Sequence, residues 1–280
     1  MSIVKASFRN AVRRRWKFAL AVFVFGVGLA ALTNAYDVTG TVERLETIGA
    51  ELENEGGEPT DEQREAIAGR APVLLLFSLL TVVFGLGTVL LAFLMPGGLV
   101  SDERRSSAIM LWAQHPMPLS SFYLRRYLGI QIATATALVI FGLTGAAADL
   151  PSAAAPATEI GGITRLCSVG LLACAVSFAI SALGIRRAGL FGFIYYLASG
   201  VLWPLIEGPE LGTSTAAELA RAVLPFVVFP DAPLDDLVAG FESAVAWDWG
   251  ATGLILYHFA LWTGVAWLGL RRIERRPLKL

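Results

Sequence analysis

Residues 166–206 read LCSVGLLACAVSFAISALGIRRAGLFGFIYYLASGVLWPLI, two apolar runs (Leu166–Ile185 and Ala188–Ile206) separated only by Arg186-Arg187. Each run has about the 20 residues that a helix needs to cross a hydrocarbon core. Apolarity is continuous rather than alternating, and each run is about twice the length of a barrel strand, so both read as helices. The Arg-Arg link forces them into an antiparallel hairpin.

Outward from this hairpin lie further uncharged runs at Phe18–Tyr36, Ala71–Val100, Leu128–Ala148 and Gly250–Leu270. Ala71–Val100 exceeds what a straight span needs and is expected to turn near Pro96-Gly97-Gly98. Composition agrees: of 280 residues 55% are apolar and 16% charged, against about 25% charged in soluble domains. Mean hydropathy is +0.63. The expected fold is all-α: one polytopic domain over 1–280, with six transmembrane helices at about 18–36, 71–95, 128–148, 166–185, 188–206 and 250–270.

Charge sets the expected orientation. The N-terminal arm and the second, fourth and last connections hold 17 of the 22 Lys and Arg, and 20 of the 23 acids lie in the other connections. By the positive-inside rule both termini are cytoplasmic in the cell membrane, and the basic face would sit beside anionic inner-leaflet lipid. Phe18–Leu32 has signal-peptide composition, but Thr33-Asn34-Ala35 is a poor cleavage site, so it is read as a span. The arm, residues 1–17, places Val4, Phe8, Val12 and Trp16 at every fourth position and is expected to be an interfacial amphipathic helix.

The connection at 37–70 is acidic, and a short helix capped by Thr60 or Asp61 is expected in it. Residues 207–249 should form two outer helices, anchored by Trp247 and Trp249 as interfacial aromatics. Trp203-Pro204 marks a kink or an outer end. In the fourth span Gly170, Cys174, Ser177, Ser181 and Gly184 recur at steps of four and three, the pattern of a small-residue seam where another helix approaches closely. Cys167 and Cys174 are about 10 Å apart along that helix, too far for a disulfide.

Chemistry-bearing motifs are sparse. There is no GxxxxGK[ST] phosphate loop and no HExxH. The formal GxGxxA match at Gly26–Ala31 lies inside a span, where no Rossmann strand can precede it. No metal site, catalytic residue or bound cofactor is expected, and nothing points to nucleic acid. His258, an ionisable group within the last span, is a candidate for lining a pathway, against the commoner reading of a neutral imidazole bonded to a neighbouring helix.

The remaining signal is Gly98–Tyr127, GLVSDERRSSAIMLWAQHPMPLSSFYLRRY, charged yet set between two spans. Ser101 suits an N-cap and Asp102-Glu103 the first turn, while Pro116 and Pro118 stop a helix of about three turns. The run Ser101–Ile109, then Leu111, His115-Pro116-Met117-Pro118 and Phe122–Tyr127, resembles the cytoplasmic connection of type-2 ABC transporter permeases. Its departures are Ser107, where Gly is common, and Arg125-Arg126 in place of Gly-Lys. The resemblance implies a permease subunit that pairs with a second copy or a paralogue and docks two copies of a separate ATP-binding subunit. The chain itself would bind no ATP. Residues 98–127 would be the coupling segment. Asp102, Glu103, Arg104 and Arg105 would contact the ATPase groove, and Ile109, Leu111 and Trp112 would fill it. Alternatives are a non-transporting scaffold or immunity-type protein, and a membrane enzyme acting on lipid-linked substrates. The enzyme would need convergent His, Asp or Glu near one leaflet, and the spans nearly lack them.

Overall fold

A computed structural model describes residues 3–36, 47, 61–106, 108–109, 117–146, 159–207, 215–241 and 247–275. Its elements are α1 (Ile3–Ala35), α2 (Asp61–Leu94), α3 (Ser101–Arg105), α4 (Leu119–Ala146), α5 (Glu159–Ala182), α6 (Ala188–Glu207), α7 (Thr215–Val223), a 3₁₀ turn at Leu224–Phe226, α8 (Asp231–Phe241) and α9 (Trp249–Arg275). Every element among the described residues is a helix. Among the described residues five helices (α1, α2, α4, α5 and α9) are long and apolar enough to cross a membrane. The apolar part of α6, Ala188–Pro204, falls short of that length, so the expected count of six is met by five.

α5 is the axis of the bundle. Its apolar stretch is the most buried of the five, with α2, α4, α6, α8 and α9 packed around it. Every residue from Leu172 to Ala179 is buried. The small-residue seam explains this packing. Gly170 faces Leu138 of α4 and Ala92 of α2, Cys174 Sγ lies 3.9 Å from Thr134 Oγ1 of α4, and Ser177 Oγ donates to the Phe93 carbonyl at 2.6 Å. Gly184 does not belong to that face. It ends α5 with φ +87°, its N–H bonding Ser181 O at 2.9 Å while Ile185 N–H reaches Ile180 O at 3.3 Å. These paired bonds form a left-handed helix cap that glycine adopts at little cost.

The turn expected at Pro96-Gly97-Gly98 is present, after α2 ends at Leu94. A Cβ on Gly189 would lie 2.6 Å from the Phe93 carbonyl, and one on Gly97 2.9 Å from Gly189 N. Two glycines thus let the end of α2 touch the start of α6 backbone to backbone. α1 runs antiparallel to α2, with Arg15 Nε donating to Leu94 O at 3.2 Å, Gly26 against Phe84, and Tyr36 6.0 Å from Phe77.

Several boundaries differ from expectation. The arm is not a separate interfacial helix but is continuous with the first span. Its buried face is Ser7, Ala11, Val22, Gly26, Leu29 and Thr33, whereas Val12 and Trp16 are exposed. A repeat of four gains about 40° per step on a 3.6-residue helix, so the Val4–Trp16 stripe rotates off the packed face. Small residues win instead, because a Cβ on Gly129 of α4 would sit 2.4 Å from Val4 O. The helix expected near Asp61 is the first part of α2, which runs unbroken through Pro72. The third span begins at Leu119, not Leu128, and α6 continues past Pro204 to Glu207. Residues 37–46, 48–60, 147–158, 208–214 and 242–246 of the connections lie outside the described residues.

Candidate functional site: the α3 clamp

α3 is five residues long with Ser106 as its C-cap, residues 108–109 are again helical, and residues 107 and 110–116 of the expected helix lie outside the described residues; the N-cap is not Ser101. The N-cap position is Val100, which makes no side-chain bond. The first turn is satisfied from outside: Ser181 Oγ of α5 accepts from Val100 N–H at 3.1 Å and from Ser101 N–H at 3.2 Å. Unsatisfied amides at a buried helix start are costly, and here a neighbouring span supplies the acceptor. Ser181 is therefore both a packing residue and the cap of another element.

Two carboxylates fix α3 to other helices. Glu103 points inward and forms an ion pair of 2.6 Å with Arg126 of α4, whose side chain is only 11% exposed. Tyr123 Oη, on the same helix, donates to Glu103 Oε2 at 2.8 Å. The Arg126 guanidinium also lies 5.4 Å from the Phe122 ring centroid and 5.6 Å from that of Tyr123. The helix start at Leu119 makes this possible, by placing Phe122–Tyr127 on ordered turns. Asp102 meets Arg14 of α1 at 2.9 Å in an exposed pair. At the same end, Glu274 of α9 accepts from the Ser120 N–H at 2.6 Å, serving the start of α4. α3 is thus tied to α1, α4 and α5 at once.

The residues that the resemblance implies for docking are placed differently from one another. Asp102, Arg104 and Arg105 are exposed. Arg104 reaches the turn after α5, its Nη1 lying 2.9 Å from where a Cβ on Gly184 would be. Glu103 is turned into the bundle, and Ile109 is fully buried in the core. In the chain by itself each of these side chains packs against or pairs with the bundle. Leu111 and Trp112 lie outside the described residues.

At the opposite end a different arrangement appears. The chain from Leu224 to Pro230 leaves the α-helical path through the 3₁₀ turn yet buries Val228 and Phe229. Side chains from α6 and α9 take up its backbone groups. Tyr195 Oη donates to Val227 O at 2.6 Å, Trp203 Nε1–H donates to Phe229 O, Ser199 Oγ accepts from Phe229 N–H at 2.9 Å, and His258 Nε2 is 3.0 Å from Pro225 O. Since Pro225 offers only an acceptor, His258 Nε2 carries the proton in this bond. His258 is fully buried and its Nδ1 has no partner, as is also true of the Trp262 indole nitrogen one turn later. His258 thereby takes up one backbone acceptor of this segment. α8 is fastened to α5 by Arg165, which pairs with Asp235 and, at 3.3 Å, with Asp231. Burial pushes the Asp231 carboxyl above its usual range and Asp235 adds to this, while Arg165 opposes both.

Fold and site define an all-helical, multi-pass membrane protein whose short interhelical segment is locked to several spans. No family model, no curated protein and no solved structure matches the chain.

Proposed function

We propose that the chain is the membrane-spanning permease subunit of a type-2 ABC transporter, moving its substrate with energy from a separate ATP-binding subunit. α6 is the remaining span, and the α3 end, with both termini, faces the cytoplasm of the cell membrane. The observation that carries this reading is the clamp on α3. A segment that transmits force from a soluble motor must be rigidly joined to the helices it moves, since coupling requires contacts that differ between states. Ser181, Arg126 and Arg14 join it to separate helices, and Arg104 and Arg105 remain at the surface. These two arginines, with Asp102, are the contact for the ATPase groove.

The solid interior around α5 supports a second permease copy or paralogue. With Leu172 to Ala179 all buried, a passage through one chain would have to open the core itself. A passage between two chains leaves it intact. The resemblance favours export.

Purification with the cognate ATP-binding subunit tests the reading. R104E/R105E is expected to leave membrane insertion intact and to abolish permease-dependent stimulation of ATP hydrolysis. Wild-type stimulation by this variant, or failure of the wild-type chain to recruit any ATP hydrolase, overturns it.

A further inference from the structure

We infer that the α3 end of α9 is a binding site for the headgroup of an anionic phospholipid, formed by Arg271, Arg272 and Arg275 above Trp267 and Leu268. These five residues line a shallow cavity of about 270 Å³. They fall in two adjacent rows of the helix, Trp267–Arg271–Arg275 and Leu268–Arg272, so each row stacks side chains at steps of four. The Arg271 guanidinium sits 4.8 Å from the Trp267 ring centroid, which holds the cation in place before any ligand arrives. Trp267 and Leu268 are 41% and 61% exposed, and the three arginines are exposed.

Depth and charge identify the ligand. α9 has 27 residues, about 40 Å of helix, against a hydrocarbon core of about 30 Å. Its last turns therefore stand at headgroup level, with Trp267 where interfacial aromatics gather. None of the ion pairs among the described residues uses Arg271, Arg272 or Arg275. Glu274, the acid adjacent in sequence, is occupied by the Ser120 amide. Guanidinium forks match phosphate oxygens in bidentate geometry, and the exposed Trp267 and Leu268 below them offer a floor for the first acyl carbons. A free phosphate would use only the charged half of such a site. Helix-dipole complementarity accounts for basic residues in a last turn, but not for an arginine laid over an exposed indole. The inference requires only that α9 spans the membrane and is independent of the transporter reading.

The test uses the full chain, purified in a neutral detergent, with thermal denaturation followed as phosphatidylglycerol, phosphatidylcholine or inorganic phosphate is added. Phosphatidylglycerol should raise Tm more than phosphatidylcholine does, and inorganic phosphate should not. R271Q/R272Q/R275Q should lose this preference, with apparent affinity falling roughly five-fold per arginine removed. R9Q/R13Q, which removes charge elsewhere, should keep it. The inference is overturned if the wild type shows no preference, if inorganic phosphate reproduces the shift, if the triple variant keeps the preference, or if R9Q/R13Q loses it equally. Should the triple variant not fold, W267L decides. It keeps every charge, and native mass spectrometry should show fewer retained phosphatidylglycerol molecules; unchanged retention counts against the site.

Discussion

Among the described residues, two stretches carry non-spanning backbone into this helical bundle, and they are fixed by different chemistry. Residues 95–106, at one end, are held chiefly by charge, through Glu103 to Arg126 and Asp102 to Arg14, with Ser181 and the Tyr123 hydroxyl as neutral anchors. Residues 224–230, at the other end, are held by neutral donors and acceptors from Tyr195, Ser199, Trp203 and His258. The two chemistries hold backbone in different ways. A largely buried ion pair is costly to break on one side, so Glu103 and Arg126 resist displacement of α3 from α4. Neutral hydrogen bonds satisfy irregular backbone inside a membrane protein without burying charge.

The severest way to break this contrast is E103A. It leaves the Arg126 cation and the Tyr123 hydroxyl in place without their acceptor, and should cost about 3 kcal/mol or more. This would be read as a fall in thermal stability in detergent. E103L/R126M, which removes both charges, should recover most of that loss. If E103A is as stable as wild type, the clamp is not a clamp.

G189A comes next. Its new methyl would meet the Phe93 carbonyl, and the end of α2 would have to leave α6, at about 2 kcal/mol. A cysteine pair bridging α2 and α6 should then crosslink more slowly.

R165L should cost about 2 kcal/mol at neutral pH, by removing the cation from Asp231 and Asp235. The folded-state pKa of Asp231 already lies above its unfolded value and would rise further. The folded form then holds more protons than the unfolded form between those two values. Stability should therefore be highest below the ordinary carboxylate range and fall as pH rises through the raised value. R165L melting temperatures should accordingly recover on acidification, and a flat pH profile would disprove the account.

S199A is the smallest change. It removes one neutral acceptor from the Phe229 amide and should cost about 1 kcal/mol, visible as faster amide exchange at Phe229 with little change in overall melting. A larger loss than in E103A would reverse the comparison between the two ends.

Parts of both ends can be read from the residues alone. Tyr195, Ser199 and Trp203 lie at steps of four along an apolar helix, a polar stripe that announces a neighbour needing hydrogen bonds. Ser181 was found as a small residue, but its service to α3 was not visible, because its partner amides are some 80 positions away. Glu103 and Arg126 both stand in the charged stretch between spans, yet that they face each other depends on α4 starting at Leu119. The uncharged run begins only at Leu128, after Arg125 and Arg126, whereas the helix itself begins just past Pro118 and buries Phe122 and Tyr123.

Hydrophobic length and charge asymmetry determined that this chain is a helical membrane protein with a short charged segment between spans. Those properties are sums over local residues and do not depend on neighbours. Only the tertiary structure decided which face of α1 is packed, that Gly184 is a cap, and that Glu103 meets Arg126 and Tyr123. Each of these depends on which remote group can meet an unsatisfied amide, charge or backbone contact, and one-dimensional order does not encode that distance.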